Sequence, residues 1–190
     1  MNTRRHPRGY QGIGHETVGM SYVALLRVLK QREETQGVEA AYRLENIDPK
    51  AWYPIGPLLD LMDKLDQQVG YFGLVRMGRT IFNLSHEAVV SQALHSAREL
   101  LEGFDALYHR SNRGQLIGGW RVLRFDPGTA EIEKTTPHHC AMEQGILAAA
   151  LQAVGCPAMV NQSACFREGA EACRFVITSS ITDSRWSGKA

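Results

Sequence analysis

The feature that most constrains the fold is a change in the spacing of apolar residues at Gly118 and Gly119. Before this pair, apolar side chains recur every three or four residues, which predicts amphipathic helices. After it, residues 118–125 (GGWRVLRF) alternate as in a strand, and Asp126-Pro127-Gly128-Thr129 is typical of a tight turn. We therefore predict an α+β fold, with a helical N-terminal half packed on an antiparallel sheet.

The helical half shows several distinct segments. We expect four or five helices between residues 17 and 117. The predicted helices cover residues 18–36 (ended by Gly37), 58–69 (ended by Gly70), 71–84 and, as the longest one with Ser85 as N-cap, 89–107. Residues 46–57 contain three prolines and are predicted to be loop or turn.

The second half is predicted to contain at least four antiparallel strands and one helix. Residues 130–135 form the partner of the first strand, and residues 140–154 form a helix that ends at Gly155. Residues 158–166 and 173–178 form two more strands around a turn at 167–171. This order predicts a hairpin, a helix and a second hairpin.

Length and charge restrict the class of protein. A chain of 190 residues with a formal charge of +1 is expected to be one domain without a general attraction to nucleic acid. No apolar run reaches 18 residues and no secretory leader is recognisable, so we expect a soluble cytoplasmic protein without membrane contact. We assign residues 1–16 to a flexible basic arm, 17–180 to a ligand-binding domain and 181–190 to a flexible tail.

Three of the four cysteines form a candidate metal site. Cys165 and Cys173 lie four residues on either side of Gly169, so they should face each other across the last hairpin. Two thiolates on one tetrahedral zinc lie just under about 4 Å apart, and Cys140 at a helix start is the natural third ligand. The spacing alone is equally compatible with buried thiols that pack as small apolar residues, or with a redox pair.

The segment Cys140-x4-Gly145, Gly155, Cys165-x3-Gly169-x3-Cys173-x-Phe175 resembles the C-terminal signature of the bacterial 4-vinyl reductase domain and of bacterial phenol sensors. That superfamily includes vesicle-tethering subunits and, more remotely, haem–nitric-oxide-binding domains. The resemblance covers residues 118–178. It implies helices against an antiparallel sheet, a homodimer and a small-molecule pocket.

The resemblance also implies a zinc held by Cys140, Cys165 and Cys173. The family places a carboxylate ligand three residues before the hairpin cysteine, where this chain has Gln162. Glutamine is neutral and a poor zinc ligand. The fourth ligand is therefore sought among residues near the cysteines, and His139 is our first choice. The other candidates are His138, Cys156 and Gln162.

Three residues are candidates for the pocket. Trp120 lies about where the phenol sensors place a ligand-binding tryptophan, and His95 lies roughly where they place a histidine; core packing and a surface position are the respective alternatives. Tyr108 ends the long helix. After it, His109-x-Ser111-x-Arg113 resembles the propionate-binding motif of haem–nitric-oxide-binding domains, although a basic helix end explains it equally well.

The leading hypothesis is a sensor or regulatory domain that binds a small apolar or aromatic ligand and acts through a homodimer or a signalling partner. An enzyme or accessory factor of tetrapyrrole metabolism is the alternative, with haem or another tetrapyrrole as cofactor. A scaffolding subunit is the third hypothesis. No catalytic triad, carboxylate pair or nucleotide loop stands out, so the sequence favours binding over catalysis.

Overall fold

The computed structural model describes residues 5–30 and 46–188. Its helices and antiparallel sheets confirm the α+β prediction. The described helices are α1 (Gly19–Lys30), α2 (Gly56–Ser85), α3 (Glu87–Ala93), α4 (Ala97–Ser111), α5 (Cys140–Ala153) and α6 (Ser184–Ser187). The predicted end of the first helix, residues 31–37, lies outside the described residues. No helix in the described ranges is both long and apolar enough to span a membrane.

Gly70 joins two predicted helices into one kinked helix. The predicted segments 58–69 and 71–84 both belong to α2, and Gly70 inside it has φ 65° and ψ −178°. A side chain disfavours a positive φ, so glycine permits the break without strain. The apolar positions of the first segment are buried, including Leu58, Leu61 and Leu65.

The single long helix predicted for residues 89–107 is wrong. The chain forms α3 and α4 instead, with an extended Leu94 ending the first helix and Ser96 capping the second. The Ser96 side chain accepts a hydrogen bond from the Glu99 N–H, and Glu99 Oε2 accepts one from the His95 N–H at 2.8 Å. A Ser-x-x-Glu pair satisfies the free donors of a helix start, so the true N-cap lies eleven residues beyond Ser85.

The main sheet has four antiparallel strands in the order β4-β5-β7-β6. Its strands are β4 (Trp120–Asp126), β5 (Thr129–Lys134), β6 (Met159–Ala164) and β7 (Cys173–Thr178). On β7 the residues alternate between buried and exposed, with Cys173, Phe175 and Ile177 facing the helices. A short 3-10 turn at Phe166–Glu168 and a left-handed Gly169 join β6 to β7.

A small second sheet was not predicted. It has the order β2-β1-β3, with β1 at Glu16–Val18, β2 at Trp52–Pro54 and β3 at Asn112–Arg113. The loop prediction for residues 46–57 is therefore wrong over β2. Pro54 is tolerated there because β2 is an edge strand and need not donate every hydrogen bond.

The tightest helix contact joins α2 to α5. A Cβ atom at Gly78 would clash with the carbonyl oxygen of Met142, and one at Gly145 would clash with the carbonyl oxygen of Val75. The two glycines therefore let each helix backbone touch the other. This contact fixes α5 against the helical layer while its N-terminus reaches the sheet.

Both ends of the described chain dock on the domain. Within the predicted tail, residues 184–187 form α6. Its Trp186 is only 1% exposed, stacks on Phe125 and donates to the Asp126 carbonyl at 2.7 Å. In the arm, the Arg8 N–H donates to the Glu171 carbonyl at 2.6 Å, and its guanidinium contacts Glu133 at 3.1 Å. The remaining domain limits stay predictions.

Candidate functional site

Three buried thiols converge where α5 meets the last two strands. Cys140 is the first residue of α5, Cys173 the first of β7, and Cys165 follows the end of β6. Their Sγ atoms lie within 4.8 Å of one another, with 2.8 Å between Cys140 and Cys173 and 3.5 Å between Cys140 and Cys165. A modest separation of the sulfurs would accommodate a tetrahedral zinc.

The three thiols are hydrogen-bonded to one another. Hydrogen bonds with Cys140 and Cys173 lower the pKa of the Cys165 thiol. Hydrogen bonds with Cys140 and Cys165 raise the pKa of the Cys173 thiol. Metal binding would therefore release protons from this cluster.

A buried lysine lies beside the cluster and escaped the sequence analysis. Lys134 pairs with Cys173 in the sheet register and is 0% exposed. The hydrogen bond with Cys165 raises the pKa of Cys140, the one with Cys140 raises the pKa of Cys173, and the charge of Lys134 opposes both shifts. Its Nζ donates to the carbonyls of Thr136 at 3.0 Å and His138 at 2.7 Å. The inward alternation of Ala130, Ile132 and Lys134 on β5 is the signal that could have located it.

The fourth-ligand candidates differ in position. His139 caps α5 with Nδ1, while its Nε2 lies 3.3 Å from Asp66 Oδ2 on α2, so the ring is engaged away from the sulfurs. Cys156 is buried near Ala97 and Arg185. Gln162 hydrogen-bonds to Cys165 and lowers the pKa of that thiol. Among the described residues, the cluster contains three cysteines and no histidine or carboxylate.

A cavity of about 280 Å³ lies between α1, α2, α4 and α5 and the start of β4. Trp120 forms one wall, edge-on to Phe104 at 4.9 Å between ring centroids and stacked on Phe175 at 6.0 Å. Tyr108 also lines it, and its hydroxyl donates to the Ile117 carbonyl at 3.2 Å. Burial raises the pKa of Tyr108 well above 10, so its hydroxyl remains protonated.

Polar side chains line the same cavity at a few points. Burial lowers the pKa of His138 to about 3 and raises the pKa of Glu143, so desolvation favours the neutral form of both. His138 Nδ1 and Glu143 Oε1 are 3.6 Å apart. Asn112 is the third such residue. The sequence analysis treated His138 as a metal ligand and did not single out Glu143 or Asn112.

Two other predicted features lie wholly or partly outside the cavity lining. His95 is exposed in the link between α3 and α4 and is not among the residues that line the cavity. Its position follows from the helix break, which turns residues 94–96 into an extended segment. In the His-x-Ser-x-Arg motif, His109 lies 3.5 Å from Asp105 and Arg113 pairs with Glu16, whereas Ser111 is among the residues that line the cavity.

Comparisons with known proteins relate the chain to one fold. No protein-family model matches the sequence, and no curated protein matches it. Among solved structures, an H-NOX protein from S. oneidensis in the Fe(II)NO state has TM-score 0.68 and 14% identity, over 86% of this chain and 99% of that one. An unliganded Fe(II) H-NOX protein from K. algicida has TM-score 0.63 and 9% identity, over 86% and 96%. At this identity, the likeness establishes the fold alone.

Proposed function

We propose that this chain is a small-molecule-binding sensor or regulatory domain of the 4-vinyl-reductase type, located in the cytoplasm. The observation that carries the proposal is the cavity lined by Trp120 and Tyr108, which is largely apolar with a few polar side chains. Such a composition is typical of ligand sites. The H-NOX likeness supports the same reading, because those domains are ligand-binding sensors of the same fold.

The cavity does not fit a haem, the cofactor of the H-NOX neighbours. Its volume of about 280 Å³ lies at the lower end for drug-sized ligands, and a tetrapyrrole is larger. The buried face of α4 carries Ala97, Leu100, Leu101, Phe104 and Tyr108 and no histidine. The two imidazoles that line the cavity belong to His86 and His138, outside α4. Tyr108 donates its hydroxyl proton to a carbonyl, so it is not a phenolate ligand. A tetrapyrrole function is therefore the weaker alternative.

A structural zinc at Cys140, Cys165 and Cys173 is the second part of the proposal. Three thiolates on a divalent ion leave one excess negative charge, and the buried Lys134 ammonium offsets it. Gln162 is the polar neutral group beside the sulfurs, so it or a water would complete the tetrahedron. The metal would then hold the start of α5 to the last hairpin.

A homodimer that acts on a signalling partner is the third part. The apolar face of residues 58–69 is buried within the chain, so it is not available for a dimer interface. Exposed apolar side chains support an interface elsewhere in the helical half, namely Tyr71, Phe72, Leu84 and Val89. Light scattering that gives the 21.2 kDa monomer mass at micromolar concentration would contradict it.

Native mass spectrometry with elemental analysis tests the proposal on the purified chain. We expect a dimer, about one zinc per chain and a co-purified or added small molecule. Leu107→Trp, which fills the cavity, should abolish ligand binding, whereas Leu123→Trp on the exposed side of β4 should not. A Soret band would instead favour tetrapyrrole chemistry. A metal-free protein that binds none of a broad ligand panel would favour a scaffolding role.

A further inference from the structure

The ammonium group of Lys134 is completely buried and is held by neutral groups. The residue is 0% exposed, and its Nζ donates to two main-chain carbonyls, those of Thr136 at 3.0 Å and of His138 at 2.7 Å. A lysine is almost never fully buried without a partner of opposite charge, because carbonyl dipoles replace only part of its hydration. The burial of Lys134 therefore points to a negative charge in its surroundings.

Two carboxyl groups are buried in the described part of the chain, and neither forms an ion pair with Lys134. Glu133 is its neighbour on β5, so that side chain points to the other face of the sheet, where two guanidinium groups contact it at 3.1 Å and 2.9 Å. Glu143 on α5 receives the Thr136 hydroxyl at 3.4 Å instead. The cysteine cluster is the remaining source of negative charge next to the ammonium.

Lys134 contacts the chain segments that carry all three cysteines of the cluster. It is the register partner of Cys173, so the two side chains share one face of the sheet with their Cβ atoms about 4.5–5.5 Å apart. The two carbonyls that hold its Nζ belong to the loop before Cys140. Its Nζ also lies 5.1 Å from the centre of the Phe166 ring, directly after Cys165. These contacts fix the positive charge beside the sulfurs.

The charges of the occupied cluster balance only for certain ions. Three thiolates and a divalent ion carry a net charge of −1, and the Lys134 ammonium brings the buried group to zero. A neutral fourth ligand, such as Gln162 or water, keeps this balance. A carboxylate in place of Gln162, or a monovalent ion in place of the divalent one, would leave one buried negative charge uncompensated.

We propose that Lys134 is the counter-ion of the cysteine cluster and determines the net charge that the site accepts, namely a divalent ion with three thiolates and a neutral fourth ligand. The inference rests on the proposed zinc site and adds the residue that sets its charge specificity. Lys134 acts without coordinating the metal, because an ammonium group has three donors and no lone pair.

Two variants remove the charge from the full, reduced chain. Lys134→Gln keeps a donor for the two carbonyls, whereas Lys134→Met removes the hydrogen bonds as well. Zinc affinity is measured by competition with a chromophoric chelator. We expect both variants to lose about 10–100-fold in zinc affinity, the usual contribution of groups that support metal ligands from outside. Arg174→Gln is the matched control: Arg174 follows Cys173 but is half-exposed on the outer face of the sheet, so zinc affinity should change less than about twofold.

A second probe distinguishes the charge of Lys134 from a structural role. Arsenite, As(OH)₃, reacts with three thiols to give As(SR)₃ and three waters. Each As–O bond is replaced by an As–S bond, each thiol proton leaves in a water molecule, and arsenic remains trivalent. Because this complex is neutral, it needs no counter-ion, and Lys134→Gln should bind arsenite at least as tightly as the wild type. Calorimetry with arsenite measures this.

The outcomes separate this inference from the zinc proposal. Loss of zinc affinity with unchanged arsenite affinity in the Lys134 variants is the expected result. Equal zinc affinity in the wild type and both variants would overturn the counter-ion role and leave the zinc site in place. A parallel loss of both probes would also overturn it, since Lys134 would then only shape the cluster. A wild type that binds arsenite but no zinc would contradict the zinc site itself, and the inference with it.

Discussion

The cysteine cluster and the cavity share the first two turns of α5, yet they are built in opposite ways. In the cluster, polar atoms converge until the Cys140 and Cys173 sulfurs are 2.8 Å apart. In the cavity, a volume of about 280 Å³ is left between apolar walls, and two buried polar atoms of its lining residues have no hydrogen-bond partner in the described part of the chain. The first arrangement would contribute to stability with a metal bound, whereas the second costs stability.

The largest effect should come from the cluster. Cys173→Ser, or zinc removal by a chelator, should lower the free energy of unfolding by about 4 kcal/mol or more, because metal-binding energy becomes folding energy. Zinc content and melting temperature should fall together. Cys156→Ser is the control, since Cys156 is also buried but lies outside the cluster, and it should keep its zinc. If the wild type contains no metal and Cys173→Ser melts at the same temperature, the three cysteines serve only as small buried side chains in the core.

A second substitution tests whether both regions depend on the same helix. Gly78→Ala places a methyl group against the Met142 carbonyl on α5 and should destabilise the protein by about 2–3 kcal/mol. Because α5 carries Cys140 as well as cavity residues, zinc affinity and ligand affinity should decline together. Denaturant unfolding with both binding assays measures this. Gly103→Ala on α4 has open space around it and should be neutral or slightly stabilising.

A third substitution, at a residue that lines the cavity, should leave the free energy of unfolding unchanged or raise it, whereas the first two lower it. His138→Leu removes a buried side-chain nitrogen that has no hydrogen-bond partner in the described part of the chain, so stability should stay equal or rise by about 1 kcal/mol. The same type of change in the cluster is strongly destabilising. Thermal unfolding of the apo protein decides the point, and a loss of more than about 2 kcal/mol would mean that His138 supports the fold.

The smallest effect concerns the link between the cluster and α2. Arg167, in the turn between Cys165 and Cys173, lies 2.7 Å from Asp63, with both side chains 27% exposed. A double-mutant cycle of Arg167→Met and Asp63→Asn should give a coupling of about 0.5–1 kcal/mol, reduced by salt. The exposed pair of Arg98 and Glu102 should give less. A coupling above about 2 kcal/mol would make this ion pair part of the cluster's support.

The sequence predicts most strands of the main sheet well, because their apolar period and turn residues are local properties. Pro127-Gly128 determines one turn, and Gly169 ends the 3-10 turn between the last two strands. The break before α4 escaped prediction because Ala93, Ala97 and Leu101 continue the helical spacing across it. The helix start is set by the Ser96 cap with Glu99. Many serine–glutamate pairs with the same spacing form no cap, so the sequence alone did not identify this one.

For the candidate site, cysteine spacing singled out three thiols that the structure brings together, and the resemblance singled out Trp120, which lines the cavity with Tyr108. His95 lies outside the cavity lining, because its position depends on the same helix break. The roles of these residues remain predictions. Asn112 and Glu143 could not be recognised, since their significance lies in missing or distant partners that only the tertiary structure reveals. Trp186 was missed because the short helix that buries it packs on a remote turn.

The reciprocal contact of Gly78 with Met142 and of Gly145 with Val75 also limits how this sequence can diverge. Each glycine faces a main-chain oxygen, and no change in a neighbouring side chain can make room for a methyl group there. A descendant that loses one glycine must move the two helices apart, and it then gains nothing by keeping the other. The two positions should therefore be inherited as a pair, while the side chains that line the cavity are under no such main-chain constraint.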